Sequence, residues 1–375
     1  MQKRFVALLG CLLILATVAM AQTTTPRPWD VEQVQFTRDG KRLLSNAEER
    51  PLPTSSLPGK GVLQGWDVET GRLLFSRTVA QSSKLVFAPD GELCVSAGLP
   101  FKQPTGLTGN TVVKVETGEV VCELEAGSDE KVLPLTFSAD GKLLAGRTLA
   151  HGAGRLRLWD TQSGKQVSLY DDAHDHATAI GFSPDNQQVI AAVERLVEGQ
   201  KIELWMVVRD RTTGAKQAEF PIRQAIPTSF FVSANGRFLV DFASLKSSFR
   251  GSKSLTLWDA HNEFASQNLK ADILSLNFKS LWISPDGRHL KAFAVSASCL
   301  FTTGYLLDWD LATGKPLSTV KLPQTLISQL TSARASDFSP DGTLLALSNR
   351  PGDIKLVAVE SNKVVQEIKV SEKAE

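Results

Sequence analysis

The densest grouping of metal-capable side chains in this 375-residue chain is Asp171-Asp172-Ala-His174-Asp175-His176. On an extended backbone alternate side chains share a face, so His174 and His176 point the same way, and with Asp172 they supply the donor types of a zinc site. A closed site needs another ligand from a distant loop, and no residue identifies itself for that role. A solvated acidic loop is the competing reading. Nucleophilic chemistry has less support. Ser128-x-x-Lys131 and Ser318-x-x-Lys321 match a Ser-Lys pattern, but neither has the helix that presents such a pair. The chain contains no Gly-x-Ser-x-Gly elbow, His-Glu-x-x-His helix, phosphate loop or Gly-x-Gly-x-x-Gly fingerprint. Its five histidines, His151, His174, His176, His261 and His289, leave little material for acid–base catalysis.

Whatever these groups do, a scaffold must hold them, and composition bounds that scaffold. Lysine plus arginine number 41 and aspartate plus glutamate 40, a formal charge of +1, so nothing drives the whole molecule toward nucleic acid or anionic lipid. With 42% hydrophobic and 22% charged residues, the chain has the makeup of a packed, folded protein. Wholesale disorder, collagen, coiled coil and a multispanning membrane protein are excluded.

Self-comparison is more informative. An aromatic residue, two or three small residues and then Asp-Gly or a near equivalent recur seven times: Phe36 to Gly40, Phe87 to Gly91, Phe137 to Gly141, Phe182 to Asn186, Phe231 to Gly236, Trp282 to Gly287 and Phe338 to Gly342. The acidic or Asn positions are 51, 50, 45, 50, 51 and 55 residues apart. Asp-Gly and Asn-Gly are the dipeptides of tight turns with positive φ, and an apolar run such as Leu143-Leu144-Ala145 follows each, so every copy predicts a hairpin. A second phrase follows 20 to 30 residues later, as in Trp66-Asp67-Val-Glu-Thr-Gly71, Trp159-Asp160-Thr-Gln-Ser-Gly164 and Trp309-Asp310-Leu-Ala-Thr-Gly314. Alternating residues precede it and a strand resumes after it, which makes a second hairpin. Four short antiparallel strands, a to d, repeated seven times without a helical period, predict an all-β, seven-bladed β-propeller.

The Phe-Ser-Pro-Asp-Gly phrase paired with Leu-Trp-Asp-x-x-Thr-Gly-Lys resembles the WD-repeat family over about residues 29–372. The family's Gly-His dipeptide before strand a is nearly absent, Ala173-His174 being the nearest match, so the family's His-Asp-Ser-Trp hydrogen-bond set is not expected in most blades. On this reading the Asp172, His174 and His176 loop is a degenerate copy of that turn. The expected blades cover roughly 29–80, 81–128, 129–174, 175–224, 225–271, 272–328 and 329–372, each one contiguous segment, with ring closure resting on packing between the first and last.

In such a ring the Asp-Gly and Thr-Gly turns share one face, while the b–c and d–a loops share the other. The first face is short and uniform, hence structural; the second carries long, unlike loops, where function is normally grafted. Those loops are 46–61, 98–110, 194–201, 244–254 and 296–304. They and their margins present Arg50, Phe101, Lys102, Lys246, Phe249, Arg250, Lys253, Phe301 and Tyr305, the aromatic and basic composition of a protein-binding surface. The expected function is a non-catalytic protein–protein interaction scaffold, a monomer without cofactor or nucleic acid, whose partner the residues do not identify. The alternative is a propeller enzyme or metal-dependent binder using the loop around 171–176.

The first residues give the address. Met1-Gln2-Lys3-Arg4, an uncharged apolar run from Phe5 to Ala21, and small residues at Ala19 and Ala21 form a secretory signal peptide with cleavage predicted after Ala21. Residues 22–28 then form a linker, and the localisation is periplasmic or secreted. The absence of any Asn-x-Ser/Thr sequon favours a bacterial exported protein. Removing the leader takes away Cys11 and leaves Cys94, Cys122 and Cys299, an odd set without Cys-x-x-Cys spacing that is expected as small buried residues in strands.

Overall fold

The repeated phrases become turns for a local reason. In a computed structural model of the chain, Ser138 Oγ donates to Asp140 Oδ1 at 2.6 Å, while the amide of Leu143 donates to Ser138 Oγ at 2.9 Å and that of Lys142 to Asp140 Oδ1 at 3.2 Å. The same set recurs at Thr37/Asp39, Ser183/Asp185, Ser284/Asp286 and Ser339/Asp341. In the second hairpin, Asp160 Oδ1 accepts from the amide and hydroxyl of Ser163 at 2.8 and 2.7 Å, and Asp67, Asp210 and Asp310 repeat this with a threonine. Hydroxyl hydrogen bonds first, and backbone amides second, hold the carboxyls of Asp39, Asp67, Asp160, Asp185, Asp286 and Asp310 below the usual carboxylate range. Gly164 shows why a glycine closes the second turn: its φ is +72°, and a Cβ there would collide with the Glu123 carbonyl of the preceding blade.

These turns join twenty-eight strands among the described residues, which are 29–49, 60–80, 85–96, 110–127, 130–150, 153–170, 175–183, 185–197, 201–222, 227–233, 237–243, 255–259, 262, 265–269, 271, 273, 276–297, 302–327, 335–349 and 352–371. Blade 1 comprises β1 to β4 (Trp29–Phe36, Arg42–Glu49, Lys60–Asp67, Leu73–Ala80) and blade 2 β5 to β8 (Leu85–Phe87, Leu93–Ser96, Thr111–Lys114, Val120–Glu123). Blade 3 comprises β9 to β12 (Lys131–Phe137, Leu143–Ala150, Ala153–Asp160, Gln166–Tyr170) and blade 4 β13 to β16 (Asp175–Phe182, Gln188–Val197, Lys201–Asp210, Lys216–Pro221). Blade 5 comprises β17 to β20 (Pro227–Val232, Phe238–Ala243, Leu255–Asp259, Ala265–Leu269) and blade 6 β21 to β24 (Leu276–Ile283, His289–Ala297, Thr302–Asp310, Pro316–Lys321). A single helical turn, α1 (Gln324–Ile327), leads into blade 7, β25 to β28 (Ser336–Phe338, Leu344–Asn349, Asp353–Ala358, Lys363–Lys369). Each sheet is four antiparallel strands in sequence order, so the chain is a seven-bladed β-propeller.

Blades do not carry private cores. Seven buried clusters exist among the described residues, and each lies between two neighbouring blades: Leu44, Leu63 and Phe87 between blades 1 and 2, Trp159 and Val112 between 2 and 3, and so on round the ring. Middle strands are therefore buried on both faces, which is why Leu43-Leu44 and Leu344-Leu345 read as continuous apolar runs rather than as alternation. The closing cluster packs Trp29, Val31 and Trp66 of blade 1 on Ile354, Leu356 and Ile368 of blade 7. Among the described residues no strand is shared there. Instead the Phe36 amide donates to Asp337 Oδ2 at 2.8 Å, and Gln64 Nε2 donates to the Ser371 carbonyl at 2.6 Å.

Of the indoles, Trp66 Nε1 donates to Ser45 Oγ at 2.9 Å, a Ser-Trp pair formed in a blade without the Gly-His turn, whereas Trp159 Nε1 turns to the Glu125 carbonyl at 2.7 Å. Cys94 is buried in β6, where desolvation pushes its thiol up to about 12. Cys122 is half-buried in β8, and its Sγ donates to the Thr161 carbonyl.

Candidate functional site

The two faces of the ring differ in what their side chains are free to do. On the turn face the carboxylates are already engaged by their own turns, and the turns are tied to one another. The Arg38 amide donates to the Pro89 carbonyl at 2.6 Å, and its guanidinium reaches the Ala139 carbonyl at 2.9 Å. The Ala139 amide in turn donates to Asn186 Oδ1 at 3.3 Å. Such a face is a continuous brace.

The opposite face, made of b–c and d–a connections, is where the sequence reading expected its binding residues. Arg50, Phe101, Lys102, Lys246, Phe249, Arg250, Lys253 and Phe301 lie outside the described residues, as do Asp172 and His174. Tyr305 belongs to β23 rather than to a loop, pairs with Ala294 and Lys321, and packs partly buried on the cluster between blades 5 and 6. His176 stands on β13 opposite Glu194 and is half-buried. Among the described residues no group of three His, Cys, Asp or Glu side chains converges on a metal position.

Two of the segments expected as loops are largely strand. β14 and β15 run ten residues each, so only 198–200 separate them, and β22 and β23 leave only 298–301. The long blade 4 hairpin carries a surface the sequence reading missed. Leu196 and Ile202 are directly opposite in register, hence on one face, and stand 56% and 61% exposed. Behind them Arg195 stacks over the Trp205 ring at 5.2 Å and reaches Glu219 at 3.3 Å, which stiffens the base of the hairpin. An exposed cross-strand apolar pair on a rigid base is the arrangement of an interface anchor.

The innermost strands have their own regularity. β1, β13, β17 and β21 each carry a bulge five residues ahead of the turn hydroxyl residue, at Glu32, Thr178, Thr228 and Lys279. A bulge leaves one residue out of the ladder and re-aims it, and such devices are common beside functional sites. Lys279 is exposed although it lies on an innermost strand, and Gln33 Oε1, next to the first bulge, is shielded without a hydrogen-bond donor. Asp337 lies on β25, the innermost strand of blade 7. It is half-buried by area but surrounded by protein, and that burial pushes its carboxyl up to about 7 against the opposing effect of the Phe36 and Phe338 amides.

No protein-family model matches the chain. No curated protein matches it either. Solved structures do. Kuenenia stuttgartiensis hydrazine synthase superposes with a TM-score of 0.59 at 13% identity, covering 94% of this chain and 99% of that one. The Myceliophteria thermophila Cps50 (Swd1) β-propeller domain superposes at 0.56 with 16% identity, covering 93% and 100%. At these identities the likeness is one of architecture, and it runs the length of the ring: the chain has the fold of a seven-bladed β-propeller and superposes on a hydrazine synthase structure and on a β-propeller domain alike.

Proposed function

We propose that the chain is an exported, non-catalytic scaffold that engages a protein partner on the face made by its b–c and d–a connections. The observation that carries this reading is the blade 4 hairpin, which holds Leu196 and Ile202 out in solvent on that face. Solvent exposure of a paired Leu and Ile costs hydrophobic free energy that burial by a partner recovers, about 1.5–3 kcal/mol for each side chain fully buried. The aromatic and basic loop residues, Phe249 and Arg250 among them, supply the anchors of such an interface.

The test is capture from a periplasmic extract by the tagged protein. A Leu196→Asp/Ile202→Asp double variant is expected to lose the captured partner at an unchanged melting temperature, while Val365→Asp, on the outer rim, keeps it. Equal capture by all three proteins, or none by any, overturns the reading. Export is checked separately: the protein recovered from the periplasm is expected to begin at Gln22, and an intact Met1 terminus in the cytoplasmic fraction removes the exported part of the reading.

A further inference from the structure

The seam between blades 3 and 4 holds donor groups with nothing to receive them. Arg147, on β10, stands in one cross-strand row with Leu156 and Tyr170, on the face of blade 3 that meets blade 4. Ala177, Val193 and Trp205 form a row on the facing side of blade 4. The two rows meet. Arg147 Nη1 donates to the Ala177 carbonyl at 3.0 Å, and Leu156, Tyr170, Ala177 and Val193 line a cavity of about 20 Å³ between the blades. Val207 and Arg209 also line it.

The unmet polar atoms of the two rows are both donors. Arg147 Nε is shielded from solvent and reaches no acceptor, and among the described residues no carboxylate pairs with this guanidinium. Trp205 Nε1 is shielded and unpaired in the same way, with the Arg195 guanidinium 5.2 Å over its ring. Other polar neighbours are already engaged. The Tyr170 hydroxyl donates to the Arg211 carbonyl at 3.0 Å, Arg209 Nη1 donates to the Gly214 carbonyl at 2.9 Å, and Glu219 serves Arg195 and Lys216. Neither row contains a carboxylate, whereas Arg157, on the opposite face of blade 3, has Glu130. Two shielded N–H groups and a guanidinium without a counter-charge call for an acceptor that carries negative charge. A water molecule accepts too, but it brings two O–H groups into a lining of Leu156, Ala177, Val193 and Val207 side chains, and it brings no charge. Size narrows the choice further: the cavity has room for one water-sized centre, which admits a halide ion and excludes sulfate, phosphate and carboxylic acids.

We propose that the seam between blades 3 and 4 binds one chloride-sized anion, which accepts from Arg147 Nε and Trp205 Nε1 and ties the two blades together. The site is independent of the partner-binding face. The experiment is thermal unfolding of the purified protein in sodium chloride or sodium bromide, brought to constant ionic strength with sodium gluconate, whose anion exceeds the cavity. Bromide anomalous diffraction then locates the ion. The expected result is a melting temperature that rises with halide and follows a one-site mass-action curve, with a bromide peak between Arg147 and Trp205. Trp205→Phe keeps an aromatic ring and removes the donor, and it is expected to raise the half-saturating halide concentration about tenfold. Arg147→Met is expected to abolish the site's contribution, while Arg288→Met, at an exposed turn, leaves it intact. A melting temperature indifferent to halide, a rise that is the same in both seam variants as in the wild type, or bromide found only on the outer surface each overturns the proposal.

Discussion

Replacing Asp337 by asparagine is expected to stabilise the ring most above pH 7, by about a third as much near pH 5, and hardly at all below pH 4. The carboxyl sits where the last blade meets the first, its Oδ2 accepting from the Phe36 amide across 301 residues of sequence, and burial pushes its folded-state value up to about 7 from 3.8. A group whose folded value is raised in this way binds a proton on folding between those two values. Its contribution to stability is therefore greatest below 3.8, falls as pH rises to about 7, and is flat beyond. A fully buried carboxyl with this shift would cost about 4 kcal/mol at pH 8; water reaching the half-buried residue lowers the figure. Asparagine keeps the acceptor oxygen and removes the charge. Denaturant unfolding at pH 5, 7 and 8 checks the expectation, and parallel profiles for the two proteins would overturn it. The turn carboxylates pull the other way at low pH. Asp160, Asp185 and Asp310 are held below their ordinary values by hydroxyl and amide donors, so their support is present above about pH 4 and is lost on acidification. Wild-type stability is then expected to peak on the acid side of neutrality, and the variant's peak to broaden toward alkaline pH.

The blades were legible because their punctuation is local. A Ser or Thr, an Asp two residues on and a Gly close a turn from their own atoms, as Ser138, Asp140 and Gly141 do, so the sequence pattern and the structure are the same fact. Contacts between blades leave no such mark. Nothing in Ser336-Asp337-Phe338 announces a carboxylate bonded to the first strand, because its partner is an amide 301 residues away. Bulges are equally silent, since Glu32, Thr178, Thr228 and Lys279 share a register but range from an acid through two threonines to a base. The segment 194–201 was expected as one of the long connections between strands. Its register instead pairs Glu194 with Leu204 and Leu196 with Ile202, which extends the hairpin and exposes the apolar pair. Tyr305, expected among the loop residues, lies inside a strand that begins at Thr302.

Breaking the ion pair inside blade 3 is expected to be the most damaging single change to a charged group. Arg157, on β11, meets Glu130 Oε1 at 2.5 Å, with the two side chains only 10% and 11% exposed. The second carboxylate oxygen of Glu130 accepts from the Gly127 amide at 2.8 Å, so the acid both neutralises the arginine and fastens the approach to the innermost strand. Removing one partner leaves the other charged, enclosed and unpaired. Arg157→Met and Glu130→Gln are each expected to cost about 3–5 kcal/mol, because the desolvation of the survivor is no longer offset. Removing both is different. A Glu130→Met/Arg157→Met double variant buries no charge and relieves Arg157 Nε, which already lacks a hydrogen-bond partner, so it is expected within about 1–2 kcal/mol of wild type. The double-mutant cycle therefore predicts a large coupling energy with nearly compensated end points. Additive losses would mean that the pair is hydrated in solution and behaves as a surface contact, worth about 1 kcal/mol or less.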